Sequence, residues 1–307
     1  MTQRLARARP VLSLPALALL ALAATPRPAA AAEAAAPPSS PEALLPGVDL
    51  SALSAAQREV AARVAQDEFC HCGCPHTLSG CLREHTGCRH APRMAQLAAR
   101  LAGLGLNEVQ ILKVLTEYYA SFDASKRVKL DVAGWGPPLG NPDAPVTVVE
   151  FSDFTCPYCQ MLRTRLEAFV KARSGRVKLF YKPFPVASHA RALEAALAGE
   201  WAREKGLFWP MHDLLFSRPY ALDDASLGEM AAEVGGAPAD LRKALETQRH
   251  KPRIAASQEE ARRAGITGTP TLYLDGRRYL LPDWSEESLE FTLRDEEEWR
   301  SGGWGRD

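Results

Sequence analysis

Two cysteines separated by two residues, Cys156 and Cys159, have the spacing of a redox-active pair. They follow a strand-like apolar run, residues 146–151, and Pro157 between them suits the first turn of a helix. A sulfur at a helix N-terminus is stabilised as a thiolate by the macrodipole and by free N–H groups. We therefore predict that Cys156 is a solvent-accessible nucleophile and that Cys159 resolves the mixed disulfide. A structural bridge or half of a zinc site is less favoured, because this part of the chain has no second pair.

Other residues could complete this site. Glu150 is an isolated charge in the apolar strand, and if it is buried it would have a raised pKa and could accept the Cys159 proton. The alternative is a solvated carboxylate, and Lys182 is either its partner or a surface lysine. Thr269 and Pro270 precede a second apolar strand. We predict a cis bond between them, which would leave the Thr269 backbone free to pair with an extended substrate, rather than an ordinary trans proline.

A second group of cysteines lies upstream, interleaved with histidines. Its members are Cys70, Cys72, Cys74, Cys81 and Cys88. Five cysteines cannot all pair within the chain, so one interpretation is two structural disulfides with one thiol left over. Thiolates and neutral imidazoles also suit zinc or copper(I), so a metal site is the second interpretation. The third is a second redox centre that exchanges electrons with Cys156 and Cys159.

Composition and the first residues indicate the compartment. The counts of Lys plus Arg and of Asp plus Glu are both 37, which gives no electrostatic reason to expect nucleic acid as a partner. Residues 1–32 carry arginines, then an apolar stretch and an alanine-rich end, the pattern of a cleaved signal peptide. We predict an exported, most simply periplasmic, protein that acts on protein thiols and disulfides and needs no cofactor for that chemistry.

The order of elements predicts an α/β protein: a thioredoxin fold with an all-helical insertion, preceded by a small cysteine-rich α-helical domain. Helix caps, glycine and proline clusters and apolar runs place the boundaries. We expect a signal peptide at 1–32, a disordered leader at 33–48, a helical domain at 49–125, a linker at 126–145, a thioredoxin domain at 146–297 and a flexible tail at 298–307.

Four motifs in order resemble the DsbA-like branch of the thioredoxin superfamily over about residues 139–295. They begin at Leu139-Gly140-Asn141-Pro142, Glu150-Phe151-Ser152-Asp153, Phe208-Trp209-Pro210-Met211 and Gly265-Ile266-Thr267-Gly268. The resemblance implies Cys156 as nucleophile, Cys159 as resolving thiol, Glu150 as buried acid and Thr269-Pro270 as the cis-proline loop.

One position departs from the strongly oxidising type of that family, which has His where this chain has Tyr158. Tyr158 supplies no cationic donor to a thiolate. We therefore predict a Cys156 pKa that is higher, and a redox potential that is more reducing, than in the His-containing type.

Residues 70–122 resemble, more loosely, the thiol-reductase domain of the cytochrome c maturation family, because a cysteine-containing turn is followed by two helices. Three functions follow from these patterns. The first is an exported thiol-disulfide oxidoreductase with a membrane or soluble redox partner. The second is a reductant for the cysteines of an apocytochrome or metalloprotein. The third is a metal-binding or partner-docking protein that uses the Cys/His cluster at 70–90.

Overall fold

The computed structural model describes residues 40–302. Helices make up the first part of this range. The predicted signal peptide and residues 33–39 of the predicted leader lie outside that range. The helices are α1 Pro41–Leu44, α2 Ala55–Asp67, α3 Leu78–Glu84, α4 His90–Gly103 and α5 Glu108–Ala120, followed by a 3-10 turn at Ala124–Lys126.

Local side-chain chemistry explains where two of these helices begin. The Ser54 hydroxyl accepts from the Gln57 N–H at 3.4 Å, and the Gln57 side chain accepts from the Ser54 N–H at 2.9 Å. Asn107 and Gln110 form the same reciprocal pair at the start of α5. Such capping boxes satisfy two backbone donors that a helix start leaves without partners. Both caps agree with the sequence pattern.

The predicted disordered leader, 33–48, differs from the structure in its described part. Pro41–Leu44 form one helical turn capped by Ser40, and Leu44 and Leu45 are buried. These two leucines give a short segment enough apolar surface to fold against α2. At the other end of the chain, helix α12 spans Glu286–Arg300, so the first three residues of the predicted flexible tail are helical.

A mixed sheet lies at the centre of the second part of the chain. Its strands are β1 Val146–Ser152, β2 Val177–Pro183, β3 Thr271–Leu274 and β4 Arg277–Arg278. Within residues 40–302 the strand order is β2-β1-β3-β4, with β1 parallel to β2 and antiparallel to β3. Strand β4 has two residues. The register places Leu281 opposite Pro270, which has no N–H to continue the ladder.

Besides α12, six helices of this part connect or flank the strands in the described chain. They are α6 Pro157–Ala172, α7 Ala192–Glu204, α8 Phe208–Ser217, α9 Asp224–Glu233, α10 Pro238–Glu246 and α11 Lys251–Arg263. Helix α6 joins the parallel pair β1 and β2, and α7 to α11 form the helical insertion between β2 and β3. This arrangement confirms the predicted fold class, a thioredoxin fold with an all-helical insertion.

One hydrophobic core joins the N-terminal helices to the sheet. It includes Leu97 of α4 and Leu115 of α5 together with Val146, Leu162 and Leu293. All of these side chains are at most 1% exposed, so burial of apolar surface stabilises both parts together. The predicted domain boundaries stay predictions, but the helices and the sheet do not have separate interiors.

Buried polar contacts reinforce the same junction at helix α12. Tyr118 donates to Asp295 at 2.6 Å, and Arg93 pairs with the same carboxylate. Arg277 and Glu296 pair at 3.0 Å with both side chains fully buried, and Arg127 holds Glu296 from the other side. Buried carboxylates need such partners, because an unpaired buried charge is strongly destabilising.

In residues 40–302, none of the helices has both the length and the apolar character required for crossing a lipid bilayer.

Candidate active site

The cysteine pair lies at the junction of β1 and α6. Cys156 is the N-cap residue of α6, with extended backbone, and Pro157 occupies the first helical position. Asp153 shapes the connecting loop, because its side chain accepts the Thr155 N–H at 2.8 Å and its carbonyl accepts the Cys156 N–H at 3.1 Å. Asp153 was not predicted from the sequence. An Asp two residues before Thr at a helix start is the signal that could have identified it.

The two thiols differ in depth and in acidity. Hydrogen bonding by the Cys159 thiol lowers the pKa of Cys156 to about 5, helped by the Cys159 backbone N–H and opposed by burial. Burial raises the pKa of Cys159 far above its ordinary value, and the Cys156 sulfur and the Glu150 charge act in the same direction. In a pair split this way, one sulfur is held as thiolate and the other as thiol.

Cys156 is less exposed than its predicted role as an accessible nucleophile suggested. Only 4% of the residue is exposed, compared with none of Cys159. The cover comes from the loop before β3, where the Thr269 carbonyl lies 3.5 Å from the Cys156 sulfur. The Thr269–Pro270 peptide bond is cis, in agreement with the expectation from the sequence.

Glu150 is buried beneath the pair, not solvated. It is 2% exposed, and burial raises its pKa to about 7. Its register neighbour in β2 is Tyr181, which lies in the same apolar cluster as Cys159, so the carboxyl group shares a sheet face with that thiol. Among residues 40–302, its Oε1 atom has no hydrogen-bond partner.

Lys182 neither pairs with Glu150 nor lies at the surface, because it is only 1% exposed, so both sequence interpretations of this lysine were wrong. The parallel register aligns it with Phe151, and adjacent residues of a strand point to opposite faces of a sheet. Lys182 is therefore on the other face, where it forms an ion pair with Glu260.

Histidines and exposed apolar side chains complete the surroundings. His189 contacts the Asp153 carboxylate at 2.8 Å, and His212 is buried among aromatic rings, so both are packed or loop-stabilising residues. Tyr158 and Met161 on α6 are 60% and 56% exposed. A groove of about 610 Å³ starts at Thr155 and is lined by residues that include Arg191, Pro219 and Tyr220.

The five upstream cysteines converge as well, in a separate place. Cys70, Cys72, Cys81 and Cys88 are buried, and Cys74 is half-buried. The Cys70 and Cys88 sulfurs are 3.6 Å apart, and those of Cys72 and Cys81 are 3.9 Å apart. This group lies in the core shared by the N-terminal helices and the sheet, whereas Cys156 and Cys159 lie in the cluster of the helical insertion.

Part of this chain is similar in sequence to parts of known proteins. A Na(+)/H(+) antiporter NhaA 3 of Salinispora tropica is 36% identical over 141 residues, which are 46% of this chain and 22% of that protein. A Na(+)/H(+) antiporter NhaA 1 of Mycolicibacterium gilvum is 32% identical over 157 residues, 49% of this chain and 25% of that protein. The chain thus spans about a quarter of the length of these relatives.

A crystal structure of oxidised BdbD from Bacillus subtilis has a TM-score of 0.51 at 24% identity, covering 55% of this chain and 96% of that chain. It shows that the fold is the same. The family model described as thioredoxin matches residues 134–292, which is more than half of the chain. The predicted resemblance of residues 139–295 to the thioredoxin superfamily is confirmed, whereas its DsbA-like branch and the looser resemblance of residues 70–122 stay predictions. The chain belongs to the thioredoxin family.

Proposed function

We propose that this protein is an exported thiol-disulfide oxidoreductase that acts on protein cysteines through a mixed disulfide at Cys156. The observation that carries this proposal is the pairing of a thiol of lowered pKa at a helix N-cap with a buried thiol of raised pKa. This combination supplies a thiolate for attack and keeps the second sulfur protonated until it is needed. Export rests on the sequence pattern of residues 1–32 alone.

The steps of exchange follow from the geometry. The Cys156 thiolate attacks one sulfur of a substrate disulfide, so a mixed disulfide forms and the first substrate thiolate leaves. Cys159 then loses its proton to the Glu150 carboxylate and attacks the Cys156 sulfur. The 156–159 disulfide forms, the second substrate sulfur is released as a thiolate, and two electrons have passed to the substrate. Running the same steps backwards oxidises a dithiol, so the same residues serve both directions.

Glu150 is suited to the proton transfer because its pKa of about 7 lies near neutral pH. A carboxyl group with that pKa exists in both protonation states at pH 7 and can accept and return a proton. It shares the sheet face of Cys159, and its charge influences the pKa of that thiol. Glu150 thus has the position and the acidity of a proton relay.

The surface next to Cys156 fits an extended peptide. Tyr158 and Met161 offer exposed apolar contacts, and Tyr220, almost fully exposed, lies at the groove that starts at Thr155. Exposed apolar patches rimmed by polar residues are typical of protein-binding surfaces. The substrates we propose are therefore polypeptides with thiols or disulfides, and a membrane or soluble redox partner would reset the 156–159 pair.

The experiment compares two serine variants of the full chain in exchange with a disulfide-bonded peptide. Cys156→Ser is expected to reduce exchange to the uncatalysed rate, because no thiolate remains to attack. Cys159→Ser is expected to accumulate a covalent adduct with the substrate at Cys156, detected by mass spectrometry. Thr164→Ser, an equally conservative change on the exposed side of α6, is the control. Wild-type exchange by Cys156→Ser would contradict the proposal.

A further inference from the structure

The Cys/His loop between α2 and α4 gathers six metal-binding side chains that disulfide exchange does not use. Cys70, Cys72 and Cys74 lie in the loop before α3, which turns at Gly73, where φ is +86° and a side chain would be strained. Cys81 lies on α3 and Cys88 lies in the loop before α4. The turn at Gly73 and the short helix therefore direct sulfurs from three segments toward one point.

The spacing of the buried sulfurs matches tetrahedral coordination. The sulfurs of Cys70, Cys72, Cys81 and Cys88 all lie within 4.8 Å of one another. A Zn–S bond of about 2.3 Å places two sulfurs of a tetrahedral site about 3.8 Å apart, close to the observed 3.6 and 3.9 Å. Two disulfides would need only two close pairs, at about 2.05 Å each, and would not need all four sulfurs to converge.

A second set of four donors overlaps the first. Cys72, Cys74, Cys81 and His85 also lie within 4.8 Å of one another. The His85 Nδ1 atom is 3.8 Å from the Cys72 sulfur and 3.7 Å from the Cys81 sulfur. Two tetrahedral ions need eight bonds to donors, and six side chains supply them when the two shared sulfurs, those of Cys72 and Cys81, bridge both ions.

We propose that the segment from Cys70 to Cys88 binds two divalent zinc ions in a thiolate-bridged site. Its six ligands are Cys70, Cys72, Cys74, Cys81, Cys88 and His85. Five thiolates and two Zn²⁺ leave a net charge of −1, and so does one Zn²⁺ held by the three thiolates and the imidazole of the second set, but only the site with two ions engages all five cysteines. One Zn²⁺ with four thiolates leaves −2, and two copper(I) ions with five thiolates leave −3. The smallest residual charge is favoured because these sulfurs lie in a hydrophobic core.

Neighbouring groups fit this assignment. The Ala91 backbone N–H donates to the Cys88 sulfur at 3.4 Å, the kind of hydrogen bond that stabilises a metal-bound thiolate. All five upstream cysteines are used, so the odd cysteine that a pairing scheme leaves over has a role. Binding converts five thiols to thiolates, so five protons are released for two ions bound.

The test measures zinc retained by the full mature chain. The protein is reduced without oxygen, loaded with Zn²⁺ and desalted, and zinc is counted per chain by elemental analysis. Two ions are expected. The variants Cys74→Ser and His85→Ala are each expected to retain one ion, because they remove ligands of the second set only. Both side chains are half-buried, and circular dichroism checks that the variants fold.

Two further variants complete the design. Cys81→Ser, which removes a bridging sulfur, is expected to weaken binding of both ions, and the double variant Cys156→Ser/Cys159→Ser is expected to keep both, which excludes zinc bound at the redox pair. Cobalt(II) loaded in place of zinc should give the absorption of tetrahedral thiolate coordination, a readout independent of activity. Retention of no zinc or of a single ion by the unsubstituted chain, or of both ions by Cys74→Ser and His85→Ala, would overturn the proposal.

Discussion

The two cysteine groups of this chain differ in how many sulfurs meet and in what surrounds them. Cys156 and Cys159 form an isolated pair at a helix start, with opposite pKa shifts, a backbone carbonyl close by and exposed apolar residues around them. In the upstream group each buried sulfur has several others within 4.8 Å. The number of sulfurs that meet at one place determines which chemistry they can support. Two thiols of unequal acidity are suited to disulfide exchange, whereas four or more converging thiols suit the coordination shell that we propose.

The largest expected effect comes from a chelator, which should affect the upstream cysteine group and leave Cys156 and Cys159 unchanged. If zinc stabilises the upstream loop, its removal from the reduced protein lowers the unfolding free energy by about 4 kcal/mol when zinc had been present at about a thousand times its Kd. The rate of Cys156 alkylation should not change. On one sample, calorimetry measures stability and thiol labelling measures the alkylation rate. The control is Cys81→Ser, which the chelator should not destabilise further. A chelator that slowed alkylation without altering stability would erase the distinction.

The next effect concerns proton transfer between Cys159 and Glu150. Glu150→Gln should slow the resolving step by about 100-fold, the lower end of what general base catalysis contributes. In the wild type this rate should rise with pH up to about 7, where Glu150 becomes ionised, and the variant should lack that inflection. Stopped-flow release of substrate from the mixed disulfide measures it. An unchanged inflection in the variant would assign the titration to another group.

The same substitution should stabilise the protein at alkaline pH. The pKa of Glu150 is raised from an ordinary 4.5 to about 7 by burial, so the unfolded state loses its proton first and stability falls as pH rises from 4.5 to 7. Glu150→Gln removes that loss, and at pH 8 it should gain roughly 3 kcal/mol relative to its effect at pH 4. Denaturant unfolding at both pH values is the test. Equal effects at the two pH values would show that the carboxylate is solvated.

Tyr158→His should produce a smaller change, in redox potential. The side chain at 158 is 60% exposed, and a protonated imidazole there would favour the Cys156 thiolate. The 156–159 pair is expected to become more oxidising by about 30 mV for each 1.4 kcal/mol of thiolate stabilisation. Equilibration with glutathione measures the potential, and Tyr158→Phe is the matched control. A shift toward reduction would refute the electrostatic argument.

Lys182→Met should have the smallest effect on the redox site. Lys182 pairs with Glu260 on the far face of the sheet, so its loss should leave the inflection near pH 7 in place while lowering stability through the unpaired Glu260. The pH profile of the resolving step checks this. Loss of the inflection would mean that Lys182 acts on Glu150 after all.

Local patterns were sufficient to predict most elements. The capping residues Ser54, Asn107 and Ser285 each lie directly before a helix, because their side chains satisfy the first N–H groups of that helix. The predicted helical insertion is interrupted near Gln248, which has φ +47°. Neither glycine nor proline occupies that position, so the residue type does not indicate the break.

The site was predictable in its residue types and less so in its geometry. The spacing of Cys156 and Cys159 and the lone charge of Glu150 are visible along the chain. The cover over Cys156 and the sheet face of Lys182 depend on β3 and on strand register, which are contacts between distant residues. The two overlapping sets of metal-binding atoms likewise require the folded loop, because Cys72 and Cys81 are nine positions apart.

The buried pairings at helix α12 determine how the molecule can be divided. Asp295 has its partners, Tyr118 and Arg93, on helices of the N-terminal part. A fragment that begins after residue 126 would lose both partners and expose the apolar side of the sheet that packs against those helices. Truncation is therefore expected to make unfolding of the thioredoxin half less cooperative. In the full chain both halves should unfold in one thermal transition, and zinc bound at the distant loop would raise the temperature of that transition.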